Sequence, residues 1–512
     1  MTGSVGNNAV TERQYFEHPR CHLFRQARGE PNNTIGSLSA DIEGQPADGQ
    51  APSATDKHGP EKSLSPLILM GLMYTYTTSG AYAIEETVLG GGPLLGIISI
   101  ILVPLLMAGP TTVVVAEMAT AIPSNAAYLM WYCIAFNRVV YFAMVLLTLL
   151  FIFIDNALYS VLISEYVCTA VTCSDAATKL LRLGMVLITY SLNVMGVQTV
   201  GRLSIALSVV TVTPFLLMFS MHMIKSNFYL NWPAISYIPT KIDWATFLMT
   251  TSWNLCGLEH AATVVEETKA PQTTFIRALV PLLGLAYLTY IPPILTGASM
   301  REGMPDLSEW TTGFWSHVAY AVGGVPLKVI MIVASALSAH GLLLSSLCTT
   351  TQIISGIAYS EVFPGPINRM LYKRNKCFGT FHWTLTINAL LSALFGMFLD
   401  FGPLIKVNQV FYGIRVLMIF ISFLILRYRY PYLERPFRVP LEGKMLLLLI
   451  IPMLLFAGLV VLGMAESVES VIVNCSVLAA TIVISLVYCL LIRKEGFYGR
   501  IVTEPLTGGE QQ

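Results

Sequence analysis

Four carboxylates stand inside apolar stretches of this chain, and their chemistry needs explaining. Glu85 and Glu86 follow a glycine in "TSGAYAIEETVLGGGP", residues 78–93. Asp155 lies in "FIFIDNALYSV", and Glu259, with His260 beside it, lies in "NLCGLEH". A charge at membrane depth is costly, so each acid there marks a function by default. Two adjacent ionised carboxylates repel, and a cation between them relieves the repulsion. A diammonium ligand would satisfy two acids some distance apart. An amino acid would ask instead for bare backbone N–H groups at its carboxylate, and for fewer acids. The acid count therefore leans towards a multiply charged cation. Protons, sodium or a structural hydrogen bond would suit the same carboxyls, and these alternatives stay open.

Helical neighbours differ by about 100°, so one of Glu85 and Glu86 faces a cavity. Glu85 is favoured for cargo, with Glu86 as a gate; Glu85, Glu86 and Glu259 are the proton-coupling candidates. Tyr159 lies one turn after Asp155 on the same helical face. Tyr412, in "VNQVFYGIRV", and Asn254, just before "LCGLEH", complete the candidate binding set of Glu85, Asp155, Tyr159, Asn254, Glu259 and Tyr412. A tyrosine ring can hold an alkyl chain or an ammonium face. Arg415 is a basic residue near this set; in a cation pocket it is expected to point away. Ser335 and Ser338 could offer oxygens to sodium, although hydroxyls bonding back to their own helix explain them more simply. Glu117, Glu266 and Glu267 fall near span ends, where gating or solvation suffices. Neither His-Glu-x-x-His nor Gly-x-Ser-x-Gly occurs, so no enzyme, catalytic residue, metal centre or cofactor is expected.

The elements that must position these residues read as membrane spans. The 512 residues are 54% hydrophobic and 12% charged, about half the charge of a soluble domain. About 20 apolar residues cross a bilayer. On that ruler twelve stretches qualify: 64–88, 94–119, 139–170, 178–198, 202–224, 245–266, 275–297, 316–354, 383–400, 404–427, 443–465 and 470–492. Basic residues concentrate in alternate connections, which predicts cytoplasmic N- and C-termini by the positive-inside rule. Net formal charge is +0, which offers no reason to expect a nucleic-acid partner.

Residues 1–63 are polar and rich in Gly, Pro, Ser and Asn; they predict a disordered cytoplasmic tail. The transporter domain is expected over 64–494 and a second cytoplasmic tail over 495–512. No signal peptide is evident at the start, so the first span is expected to serve as its own insertion signal. Cys168 and Cys173 are read as unpaired thiols, although an external loop would permit a disulfide. Gly90, Gly91 and Gly92 predict a turn between spans.

Spans one and six share an interruption, at Ser79-Gly80 and at Cys256-Gly257. Broken helices at matching places in two five-span units point to an inverted-repeat carrier. Unpaired backbone groups at that depth are tolerated where they line a wet or ligand-filled cavity. Glycines that merely let helices approach are the plainer explanation of each break taken alone.

"GPTTVVVAEMATAIPSNAAYLMWY" resembles a signature of amino acid–polyamine–organocation permeases. "SGAYAIEETV", "DNALYSVLISEY", "WNLCGLEHAATVVEETKAPQTTF" and "ERPFRVPL" are similar to the polyamine uptake transporters of that superfamily, from Ser65 to Lys494. The twelve stretches predict an all-α membrane protein of twelve transmembrane helices, and the resemblance adds its architecture. Its fold would be a LeuT-like 5+5 inverted repeat with helices 1 and 6 broken. It also implies proton-coupled import of putrescine, cadaverine or spermidine, with the plasma membrane as the default location. Residue by residue it points to the same six binding residues. The family's usual Glu-Asn-Gly-Gly-Tyr is here Ser124-Asn125-Ala126-Ala127-Tyr128, which predicts looser helix contact. A cationic or neutral amino acid permease of the same fold, and a nutrient receptor that signals without transport, are the alternative expectations.

Overall fold

The computed structural model describes residues 12–17, 63–300, 303, 305–375, 377–398, 401–464, 468–494, 496–497 and 500–505. The parts of the expected tails over 1–11, 18–62, 495, 498–499 and 506–512 lie outside them. Helices dominate: α1 (Pro66–Thr77), α2 (Glu85–Val103), α3 (Gly109–Ala121), α4 (Tyr128–Ala135), α5 (Arg138–Ala170), α6 (Asp175–Val194), α7 (Val197–Lys225), α8 (Trp244–Asn254), α9 (Pro271–Ser299), α10 (Phe314–Tyr359), α11 (His382–Phe398), α12 (Phe401–Arg429), α13 (Leu447–Met464) and α14 (Val468–Val487). Strand β1 (Glu12–Glu17) pairs antiparallel with β2 (Arg500–Pro505). Gln14 O of β1 accepts from Glu434 N at 3.2 Å, tying both tails to the loop after α12.

Seven helical stretches among the described residues are long and apolar enough to cross a membrane. Their outward faces carry Ile472, Val473, Ile482 and Ile484 on α14, all well exposed. Such belts need an apolar solvent. Several helix starts follow local chemistry. Asn137 Oδ1 accepts from Val139 N (3.1 Å) and Val140 N (3.0 Å) to cap α5, and Asp243 accepts from Thr246 N to cap α8. These caps satisfy N–H groups that the first turn leaves without a helical partner. The glycine turn falls where expected. Gly92 has φ +80°, so it breaks α2 and Pro93 opens the next span.

Both expected breaks are present. α1 stops at Thr77; Ser79, Gly80 and Ala83 take positive φ, and helix resumes at Glu85. α8 stops at Asn254, Gly257 takes φ +100°, and a 3₁₀ segment runs over Leu258–Val264. At Gly257 only glycine fits: a Cβ would stand 2.4 Å from the Tyr76 ring, and the left-handed backbone disfavours any side chain. The breaks are held by packing. α10 lies along α5 and α7, α7 also carries α1, and α8 packs on α2.

Three expectations need correction. Cys168 and Cys173 form a disulfide with Cα atoms 5.4 Å apart. α5 ends at Ala170 and Ser174 caps α6, so the short link folds back and brings the thiols within bridging range. Contact at Ala126 is not loosened. Gly356 on α10 supplies the space, a Cβ there falling 2.4 Å from Ala126 N. Glu117 is not a solvated rim residue; it is fully buried. Arg427 Nη1 pairs with it, Arg435 Nε lies 2.9 Å away and Val439 N donates to it at 2.7 Å. α3 is thereby pinned to the "ERPFRVPL" loop.

Ala127 carries φ 50°, ψ −127°, a region that suits glycine and strains alanine. Ala127→Gly is expected to raise stability by up to about 1 kcal/mol, the relieved strain outweighing one lost methyl. Thermal unfolding in detergent checks this. A lower melting temperature would mean that the methyl packing dominates.

Candidate functional site

The backbone freed by the first break is satisfied by side chains from three neighbours. Ser338 Oγ donates to Ser79 O, and Ser79 Oγ donates to Ser338 O at 2.9 Å. Trp315 Nε1 donates to Ala81 O at 2.7 Å. Ala83 N donates to Tyr166 Oη at 2.8 Å, and Asn254 Nδ2 donates to Ala83 O at 3.2 Å. Asn254 therefore spans both breaks, and its backbone carbonyl accepts from Tyr290 Oη at 2.9 Å. Buried backbone groups must find partners, and here protein side chains supply them. Ser338 is thus committed to the break, and Ser335 Oγ donates to Ile332 O of its own helix.

Asp155 projects from the middle of α5 and is 2% exposed. Tyr159 Oη donates to its Oδ2 at 2.8 Å, and Asn408 Nδ2 donates to its Oδ1 at 2.9 Å. Asn408, Tyr412 and Arg415 follow one another at helical spacing on α12 and share one face. That face joins Asp155 to Glu259.

Glu259 is fully buried in the 3₁₀ segment. Arg415 Nη2 donates to its Oε1 at 2.5 Å. The guanidinium carbon sits 3.9 Å from the Phe151 ring centroid, 5.1 Å from Tyr412 and 5.3 Å from Tyr128. An acid with aromatic faces on several sides makes a box for a cation. Arg415 occupies it and does not point away, correcting the sequence expectation. The physical reason is burial: an ionised Glu259 out of water demands a counter-charge, and Arg415 shares the α12 face with Tyr412.

Several polar atoms around this face lack a hydrogen-bond partner among the described residues. They include Glu259 Oε2, Asn408 Oδ1 and both His260 ring nitrogens. His260 instead stacks beside Tyr76, with centroids 4.5 Å apart. Buried polar atoms are normally paired, so these orphans mark where a polar ligand gains most.

Glu85 stands apart from this cluster. It opens α2 beyond the first break, level with Tyr166, whose hydroxyl holds Ala83 N. Tyr166 follows Asp155 by eleven residues on α5, about 16 Å of helix rise. Glu85 is fully buried and neither of its oxygens has a hydrogen-bond partner among the described residues. Glu86 is partly exposed. Five of the six expected binding residues, all but Glu85, thus gather around the break after α8 and the α5–α12 face. The sequence alone does not single out Asn408, Phe151 or Tyr128. Asn408 was legible as the residue one turn before Tyr412; Phe151 and Tyr128 look like ordinary core aromatics.

Broken helices that meet at a buried, charged site define a membrane transporter rather than an enzyme. The chain belongs to the amino acid permease family, whose model matches residues 65–487. It is similar to polyamine transporter RMV1 of Arabidopsis thaliana, 28% identical over 78% of this chain and 80% of that one. A probable polyamine transporter of the same plant is 28% identical over 89% of this chain and 93% of its own. Polyamine transporter PUT1 of Oryza sativa subsp. japonica is 27% identical over 85% and 80%. Crystal structures of a manganese transporter of Eremococcus coleocola share the fold, with a TM-score of 0.54 at 14% identity over 87% of this chain and 97% of theirs.

Proposed function

We propose that this protein is a secondary active importer of polyamines, coupled to protons and working by alternating access. The observation that carries the reading is the pair of buried acids, Asp155 and Glu259, joined by one aromatic-lined face of α12. In this reading Asp155, with Tyr159, takes one ammonium of the cargo. Glu259, with Tyr412, takes another when Arg415 yields. Asn254 senses the cargo through its hold on both breaks. The segments around Ser79, Gly80, Cys256 and Gly257 are the hinges, and the halves of spans one and six rock against a scaffold of α5 and α10. Twelve spans in a 5+5 inverted repeat, cytoplasmic termini and a plasma-membrane location belong to the same proposal. The names of the plant relatives support the cargo class.

A dication entering an inside-negative cell gains about 4.6 kcal/mol per 100 mV, twice the single-charge value. Uptake of labelled putrescine and spermidine in a transport-deficient host, with voltage and pH gradient set separately, tests the reading. Saturable uptake that grows with inside-negative voltage supports it, and uptake indifferent to both gradients removes it. One observation favours a second reading. Arg415 would suit the carboxylate of an amino acid. Arginine or leucine outcompeting putrescine would establish that cargo instead.

A further inference from the structure

The buried acids of this chain fall into two kinds. Asp155 accepts from Tyr159 and Asn408. Glu259 has Arg415, and Glu117 has Arg427, Arg435 and Val439 N. Glu85 is as deeply buried, yet its two oxygens have no hydrogen-bond partner among the described residues. An ionised carboxylate held that way is costly, and adding a proton removes the charge.

The surroundings leave the proton as the natural occupant. The break contributes Tyr82, whose hydroxyl donates to Met331 O. α5 contributes Tyr166, whose hydroxyl accepts from Ala83 N. α10 contributes Trp315, whose Nε1 donates to Ala81 O. α8, from Trp244 to Asn254, holds no titratable side chain. The N–H groups of Glu85 and Ala83 and the Trp315 indole lie close enough to favour the anion, while the charged neighbour is another acid, Glu86, which disfavours it. The partial positive charge at the start of α2 favours the anion, but it is a fraction of a charge set against full burial beside a second carboxylate.

We infer that Glu85 is the carrier of the coupled proton, separate from the cargo acids Asp155 and Glu259, an inference that rests on the proton-coupled reading above. The proton adds to a carboxylate oxygen of Glu85 from one side of the membrane and leaves that oxygen to the other. Its state is tied to the break. Once ionised, Glu85 competes with Ala81 O for the Trp315 Nε1 donor beside it, and the turn that Asn254 clasps at Ala83 is loosened. Loss of the proton and movement of both broken helices therefore go together.

The test uses the full chain in liposomes with a trapped pH dye. In the wild type, putrescine uptake is expected to acidify the lumen and to accelerate with an inward proton gradient. In Glu85→Gln the ratio of gradient-driven uptake to putrescine–putrescine exchange is expected to fall at least tenfold. An unchanged ratio overturns the inference. So does loss of exchange in a variant that melts like the wild type, which would make Glu85 a cargo residue. A second measurement needs no variant. A hydrophobic carbodiimide, which modifies protonated buried carboxyls, is applied to the wild type and mapped by mass spectrometry. Modification at Glu85, sparing Asp155 and Glu259, is expected; the reverse pattern overturns the inference. If the wild type moves no putrescine at all, the polyamine reading fails, while the carbodiimide map still decides whether Glu85 holds a proton.

Discussion

Arg415→Ala is expected to abolish uptake and to cost about 3–5 kcal/mol of stability, the usual penalty for breaking a buried ion pair by removing one partner. Arg415 is 2% exposed and Glu259 fully buried. The truncation leaves Glu259 buried without its guanidinium, and empties the space between Phe151, Tyr128 and Tyr412. Glu259→Gln does the converse, stranding a guanidinium that cannot lose its proton. Removing both charges together, Glu259→Gln with Arg415→Met, is expected to restore most of the stability. Well-packed neutral replacements of buried ion pairs are often harmless to folding. The double variant should still fail to transport, because the acid that would receive the cargo is gone. Melting temperatures in detergent and uptake in vesicles, measured on all three, separate the two effects. If each single variant melts like the wild type, water reaches the pair and it is not the buried device described here.

The sequence makes the breaks legible because glycine and polar residues inside an oily run have few other uses. It makes Asp155, Tyr159 and Tyr412 legible because depth and one-turn spacing are local properties. The pairing of Arg415 with Glu259 is not local. Nothing in "VNQVFYGIRV" says which acid, far away in the chain, lies opposite. A lone arginine beside an expected cation pocket is reasonably sent elsewhere until the helices are packed. Glu117 fails for the same reason: its partners Arg427 and Arg435 come from the opposite end of the domain.

Glu85 shows a different limit. Counting acids per span takes no account of height, and the unwound residues between Thr77 and Glu85 carry it along α5, away from Asp155. The disulfide could have been anticipated only by knowing that the link between α5 and α6 folds back on itself. The eighth stretch, 316–354, is longer than one crossing needs, and its excess length is an extension ahead of the span. α10 runs over Phe314–Tyr359 but turns at Gly324, before Pro326, so its first part is no membrane crossing.

Asp155→Asn is expected to weaken diamine binding at least a hundredfold, about 3 kcal/mol, within the range for stripping a buried charge of its partner. The carboxylate accepts from Tyr159 and Asn408 and still has lone pairs facing away from both. An asparagine keeps one acceptor oxygen. Its amide nitrogen would then confront one of two donors already in place, and no negative charge remains for an ammonium. Tyr159→Phe should do less, about 1 kcal/mol or fivefold, because it removes one donor and keeps the charge. The informative comparison is between a diamine and a monoamine of equal chain length as competitors of labelled putrescine. In the wild type the second ammonium should give the diamine a large advantage. In Asp155→Asn that advantage should collapse, leaving the two amines nearly equal. If the diamine keeps its lead, Asp155 is a structural clasp between α5 and α12, and the two-acid account of the cargo site is wrong.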